Sequence, residues 1–161
     1  MEKNSDNPIM SLLSETDFIE GQGWHRRHFS PYSVIFEQGA ESRSVYFIVT
    51  GRVQASGSAK TNDGKELKSS FTTLEAGELF GELVLFDELP RSVRVATIEE
   101  TEVIEIDGDE LLAYMDRHPE QGYRILKYII RSLVSRLRLT NEKLFSLYSW
   151  GLKAHGIDKH L

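Results

Sequence analysis

The stretch Gly77-Glu78-Leu79-Phe80-Gly81-Glu82-Leu83-Val84-Leu85-Phe86-Asp87-Glu88-Leu89-Pro90-Arg91-Ser92 decides how this chain is read. It interrupts a series of strand-like segments with an apolar, glycine-containing turn and closes on Pro-Arg-Ser. The residues predict a short helix between two strands. Gly81 lets the backbone turn sharply or approach a ligand, because it carries no Cβ. The first N–H groups of such a helix are unpaired and favour an anion. Arg91 adds a planar positive fork that matches phosphate oxygens. Glu82 would repel a phosphate, but it has a role if it accepts a hydrogen bond from a sugar hydroxyl beside one. One carboxylate, one arginine and a helix N-terminus describe a sugar-phosphate pocket. They equally describe a Glu82–Arg91 salt bridge in an ordinary loop. Residue chemistry alone leaves both readings open.

On the N-terminal side of this stretch, from Trp24 onward, the pattern is β. Val34-Ile35-Phe36 ends at Gly39, and Val45 to Thr50 ends at Gly51. Arg52 to Lys60 ends at Asn62-Asp63-Gly64, a hairpin signal, and Lys65 to Leu74 follows. On the other side come Ser92 to Ile98 and Glu102 to Ile106. Short runs of Val, Ile, Phe, Tyr and Thr between turn residues read as strands. Their close spacing predicts a small barrel or jelly roll over residues 24–106.

The character changes after Ile106. Asp107 followed by Glu110 resembles a capping box and opens a helix to about His118. Pro119 fits the first turn of a second helix, running to about Tyr148. Its Leu126, Ile130, Leu133, Leu137, Thr140, Leu144 and Leu147 recur at alternating spacings of four and three, a heptad seam. Ile125, Ile129, Val134 and Phe145 lie off that seam and supply a second apolar face. Two faces predict two partners, the barrel and another copy of the helix, hence a homodimer. The segments are therefore 1–23 at the N-terminus, 24–106 for the β region with the turn-containing stretch at 77–92, 107–149 for the helices and 150–161 for a tail. Residues 1 to about 16 are read as polar and loosely ordered.

The chain has 161 residues, no cysteine and a formal net charge of −6. That length can bury a core without staples. The absence of cysteine removes disulfides, cysteine-zinc sites and thiol catalysis. The acidic balance argues against general binding to nucleic acid or anionic membrane. No apolar run approaches a membrane span, and the N-terminus lacks a signal-peptide stretch, so the expected location is cytoplasmic. His25 and His28 fall on opposite faces of a strand, which argues against chelation. His155 and His160 lie in the polar tail. No Walker loop, Gly-x-Ser-x-Gly elbow or His-Glu-x-x-His is present, and nothing indicates an enzyme.

The pattern Phe80-Gly81-Glu82-Leu83, with Arg91 nine residues after Glu82 inside Pro-Arg-Ser, resembles the phosphate-binding cassette of cyclic nucleotide-binding domains. The likeness is to the type found in the catabolite activator protein and the regulatory subunit of the cAMP-dependent kinase. Ile35-Phe36-Glu37-Gln38-Gly39, Val45 to Val53, and the run from Arg91 through Ile106 are similar to further parts of that family. Leu137 to Lys143 looks like the portion of the activator's long helix that reaches the base. The resemblance spans about residues 24–150.

It implies a β-roll that holds a cyclic nucleotide against the cassette. Glu82 would hold the ribose 2′-hydroxyl, Arg91 would neutralise the cyclic phosphate, and Ser92 would donate to it. N–H groups near Gly81, Leu83 and Val84 would complete the cup, with Phe80 and Val93 flanking it. Thr140 and Asn141 would face the base. Val84 and Val93 are larger than the residues usual at those places, and Arg94 is more charged. A hydroxyl residue directly after the arginine, as Ser92 is here, occurs in cGMP sites of the family, but the activator also has serine there and uses cAMP, so cAMP is expected ahead of cGMP. Tyr148 or Trp150 would either cap the base or make an apolar contact. No cofactor is required.

Four functions compete. The first is a sensor that passes ligand binding through its C-terminal helix to a dimer or an unidentified protein partner. The second is an interaction module that keeps the fold without ligand control. A DNA-binding regulator needs a helix-turn-helix, for which the tail after Tyr148 reads as too short. A cupin-like metalloenzyme needs clustered His and Glu ligands. The sensor, without DNA or membrane partners, is the expectation.

Overall fold

Alternating apolar residues build two antiparallel sheets around one core, and the chain crosses between them repeatedly. The computed structural model describes residues 7–154. The strands are β1 (Trp24–Phe29), β2 (Val34–Phe36), β3 (Ser44–Thr50), β4 (Arg52–Lys60), β5 (Glu66–Glu75), β6 (Leu79–Phe80), β7 (Arg94–Thr97) and β8 (Thr101–Asp107). One sheet has the order β1-β8-β3-β6 and the other β2-β7-β4-β5. The core lies between them. Phe36, Tyr46, Ile48, Val53, Leu74, Phe80, Val95 and Val103 come from seven different strands and form one buried cluster. This is the antiparallel β-roll that the family resemblance implies, and it fits the barrel or jelly roll read from the strand pattern.

Local chemistry sets the ends of the elements. The β4–β5 hairpin closes through Thr61 and Lys65, with Gly64 at φ +77°. Asp107 caps the helix α2 (Gly108–Arg117), its Oδ1 accepting from the N–H groups of Asp109 and Glu110 at 3.0 and 2.9 Å. Helix α3 (Pro119–Ala154) starts on the proline. It continues past Trp150, where the sequence reading begins the tail, because a lone Gly151 does not stop a helix. Residues 155–161 lie outside the described residues.

The N-terminal segment departs from expectation. Residues Pro8–Leu12 form a short helix, α1, capped by Asn7, whose Oδ1 accepts from Ile9 N at 2.9 Å. Five residues cannot hold a helix alone. Ile9 and Leu12 are buried, and that burial supplies the missing stabilisation. Residues 1–6 lie outside the described residues.

The chain forms two compact units, Met1–Ile125 and Leu126–Leu161. The division falls within α3 and not after Ile106. Leu111 and Tyr114 of α2 and Ile125 of α3 are buried, which commits these turns to the first unit. The described residues of the second unit are helical and carry exposed Ile130, Leu137, Leu144 and Leu147. Among the described residues no helix is long and apolar enough to cross a membrane.

Candidate phosphate-binding site

The site grows from the link between β6 and β7. β6 has two residues and pairs with β3 through Phe80 and Tyr46. The Phe80 ring stacks on Tyr46 at 5.2 Å, so Phe80 is a buried foundation for the turn that follows. Gly81 then takes φ +76° and leads into a 3-10 turn, Glu82–Leu85. Only glycine adopts that backbone conformation without strain. A Cβ on Gly81 would also lie 2.8 Å from Nη1 of Arg91, so the missing side chain makes room for the guanidinium.

Glu82 and Arg91 are both buried, at 3% and 4% relative exposure. The Arg91 backbone is pinned first. Its N–H donates to Ala40 O at 2.9 Å, and its carbonyl accepts from Gly39 N at 2.8 Å. The side chain then reaches back across the turn. Nη1 donates to Gly81 O at 3.0 Å, and Nη2 donates to Ser42 Oγ at 3.0 Å and Ser44 O at 2.6 Å. The guanidinium lies over the Phe36 ring, 4.3 Å from its centroid. Its Nε has no hydrogen-bond partner among the described residues. Three of the five N–H groups are thus used.

Burial pushes the Arg91 pKa below its usual value, while the acidic groups Tyr46, Glu105 and Glu82 pull it back up. The guanidinium stays charged in any case. Glu105 is organised in turn: its Oε1 accepts from Ser44 Oγ at 3.0 Å and from Tyr46 OH at 3.2 Å, and its Oε2 accepts from Arg27 at 2.8 Å. A buried cation with a donor to spare, beside a buried carboxylate, suits a small anion that also carries a hydroxyl.

The structure brings the Arg91 side chain back to the turn that carries Gly81 and Glu82. Leu83 is half exposed, Val84 is buried, and Ser92 is exposed. Val93 packs against the core cluster with Ile35 and Phe29. Arg94 pairs with Glu37 at 3.3 Å on the surface. Thr140 and Asn141 belong to the second unit and are exposed, and there the Thr140 hydroxyl donates to Arg136 O at 2.8 Å. Sequence reasoning missed Ser42, Ser44, Phe36 and Tyr46, which hold the guanidinium. The available signal was that a buried arginine needs acceptors, and Ser42-Arg43-Ser44 opens a strand next to the turn. Among the described residues no group of three or more His, Asp or Glu could hold a metal ion.

Known proteins share this arrangement of elements. The sequence model of the family described as "Cyclic nucleotide-binding domain" matches residues 26–118. The CRP-like cAMP-activated global transcriptional regulator of Mycobacterium tuberculosis is 33% identical over 113 residues, covering 70% of this chain and 47% of that protein. The structure of the c-di-GMP responsive global regulator CLP of Xanthomonas campestris aligns with a TM-score of 0.69 at 28% identity, covering 78% of this chain and 60% of that one. The Thermus thermophilus catabolite activator protein aligns with a TM-score of 0.62 at 26% identity, covering 91% and 62%. The chain spans about half the length of the curated relatives it matches.

Proposed function

This chain belongs to the cyclic nucleotide-binding domain family, and from that premise we propose that residues 77–92 bind a cyclic nucleotide, cAMP ahead of cGMP, as the input of a regulatory domain. The observation that carries the reading is a buried pair at the Gly81 turn: Glu82 on it, and Arg91 reaching back to it with an unpartnered Nε. Arg91 would take the cyclic phosphate and Glu82 the ribose hydroxyl. Ser92 and the amides near Gly81, Leu83 and Val84 would add donors. Phe80 and Val93 support the turn from the core side, and Thr140 and Asn141 are assigned to the base. That cAMP activates several relatives favours it as ligand.

The output would pass through α3 to a dimer or a protein partner. Leu137 and Leu144, at 60% and 62% exposure, lie on the heptad seam, and a second copy of the helix is the occupant we propose for that face. The domain would act in the cytoplasm, without a catalytic role.

Calorimetry with cAMP, cGMP and linear 5′-AMP tests the reading. A cyclic nucleotide at 100 times its Kd should stabilise the fold by about 2.7 kcal/mol, and linear nucleotide should not. Arg91→Ala should abolish most of the binding. A second reading has its own support. Arg91 already holds Gly81 O, Ser42 Oγ and Ser44 O, as a purely structural arginine would. No thermal shift with any nucleotide would leave that reading, a ligand-independent interaction module, in place.

A further inference from the structure

The three residues Ser42, Arg43 and Ser44 divide their contacts between two places. Ser42 Oγ and Ser44 O accept from the guanidinium of Arg91. Arg43, between them, is turned to other partners. Its Nη1 donates to Val84 O in the 3-10 turn, and its Nε and Nη2 donate to Asp109 Oδ1 at 3.0 and 2.8 Å. Its own carbonyl accepts from Gly108 N at 3.0 Å. Gly108 and Asp109 are the first two residues of α2.

The backbones here are in direct apposition. A Cβ on Gly108 would lie 2.2 Å from Arg43 O and 3.1 Å from a Leu85 methyl. An open groove of about 590 Å³ is lined by Arg43, Val84, Asp87, Leu89 and Asp109. The Arg43 side chain crosses this space as a fork, with one arm on the turn and one on the helix. The groove also leaves the turn room to shift.

We infer that Arg43 is a positioning residue that couples the anion-binding turn to the start of α2, so that occupancy of the Arg91 site changes the hold on that helix. The inference rests on the binding role proposed for Arg91. An anion seated against the spare Nε fixes the guanidinium and so tightens its grip on Ser42 and Ser44. The segment those residues bracket is the one that carries Arg43. The charge pair itself is exposed and weak, so its contribution is directional: it sets which elements move together. Coupling of this kind acts in both directions.

Hydrogen exchange on the full chain separates this inference from the binding role. In nucleotide-free protein, Asp109→Asn should speed exchange of the amides of residues 82–86 by roughly 2- to 5-fold, with the thermal melt cooperative as in wild type. Arg43→Ala should do the same, and Arg43→Lys should restore only part of the protection, since an ammonium lacks the fork. Unchanged exchange at 82–86 in Asp109→Asn overturns the coupling, whatever binds. With cAMP, wild type should gain protection at both 81–91 and 108–117. Arg43→Ala should gain it at 81–91 alone. A full response of 108–117 in Arg43→Ala overturns the inference. Loosened turn amides in Asp109→Asn, with no response to any cyclic nucleotide in wild type, would uphold the coupling and sink the binding role instead.

Discussion

Replacing Gly81 by alanine tests how far the site depends on one missing side chain. At φ +76° a Cβ incurs the left-handed penalty of about 1–2 kcal/mol. The methyl would also sit 2.8 Å from Arg91 Nη1. The guanidinium is the flexible end of a long side chain, so it swings aside and gives up its 3.0 Å bond to Gly81 O. A hydrogen bond from a charged donor contributes about 1.5–3 kcal/mol. The expected destabilisation is therefore about 2.5–5 kcal/mol. Gly77→Ala is the matched control. Gly77 has φ +88°, but its added Cβ would meet nothing within 4 Å. It should lose only the backbone term of about 1–2 kcal/mol. Urea unfolding of both variants measures the difference. Calorimetry with cAMP measures the consequence, a roughly 10- to 100-fold weaker affinity for Gly81→Ala and none for Gly77→Ala. Equal destabilisation and equal affinity in the two variants would refute the argument, because the position of Arg91 would then owe nothing to Gly81.

Three further outcomes follow from particular contacts. Burial, then the Glu105 carboxylate, pushes the Tyr46 phenol up to about 12. The folded value lies above the unfolded one, so this stabilisation is complete below about pH 10 and is lost as pH rises through about 12. The loss amounts to roughly 2–3 kcal/mol, and Tyr46→Phe should remove that alkaline decline from urea stability measured against pH. Gly108→Ala drives a methyl onto Arg43 O and should lower stability by about 1–3 kcal/mol or more, read as an earlier urea midpoint. Leu137→Glu should convert a dimer to monomer by sedimentation, and a dimer that survives it places the interface elsewhere than the heptad seam.

Short-range chemistry was legible in the sequence. The Asn62-Asp63-Gly64 hairpin, the Asp107 cap and the Pro119 start each depend on residues within four positions of one another. Glu82 and Arg91 were legible as well, because their types and spacing carry chemistry. The support beneath Arg91 was not, since its acceptors Ser42 and Ser44 lie 49 and 47 residues away. A need for acceptors was readable from the arginine, but sequence distance hid that Ser42 Oγ and the Ser44 carbonyl supply them. β6 escaped because two residues have no period to detect. α1 escaped for a different reason: its stabilisation comes from burying Ile9 and Leu12, and a local reading sees only a polar terminus.

The pairing of β1 with β8 bears on how this chain survives its own synthesis. Among the described strands β1 pairs with β8 alone, and Arg26 and its partner Glu102 are 76 residues apart. At about 5–20 residues per second, β1 waits roughly 4–15 s on the ribosome before its partner exists. For that interval it is a bare strand that other nascent chains could extend. Two of its six residues, Arg26 and Arg27, carry fixed positive charge, and such a pair keeps like strands apart. When β8 arrives it brings Glu102 and Glu105, which take up Arg26 and Arg27. The same charges that guard the unfinished chain become ion pairs that set the register of the finished sheet.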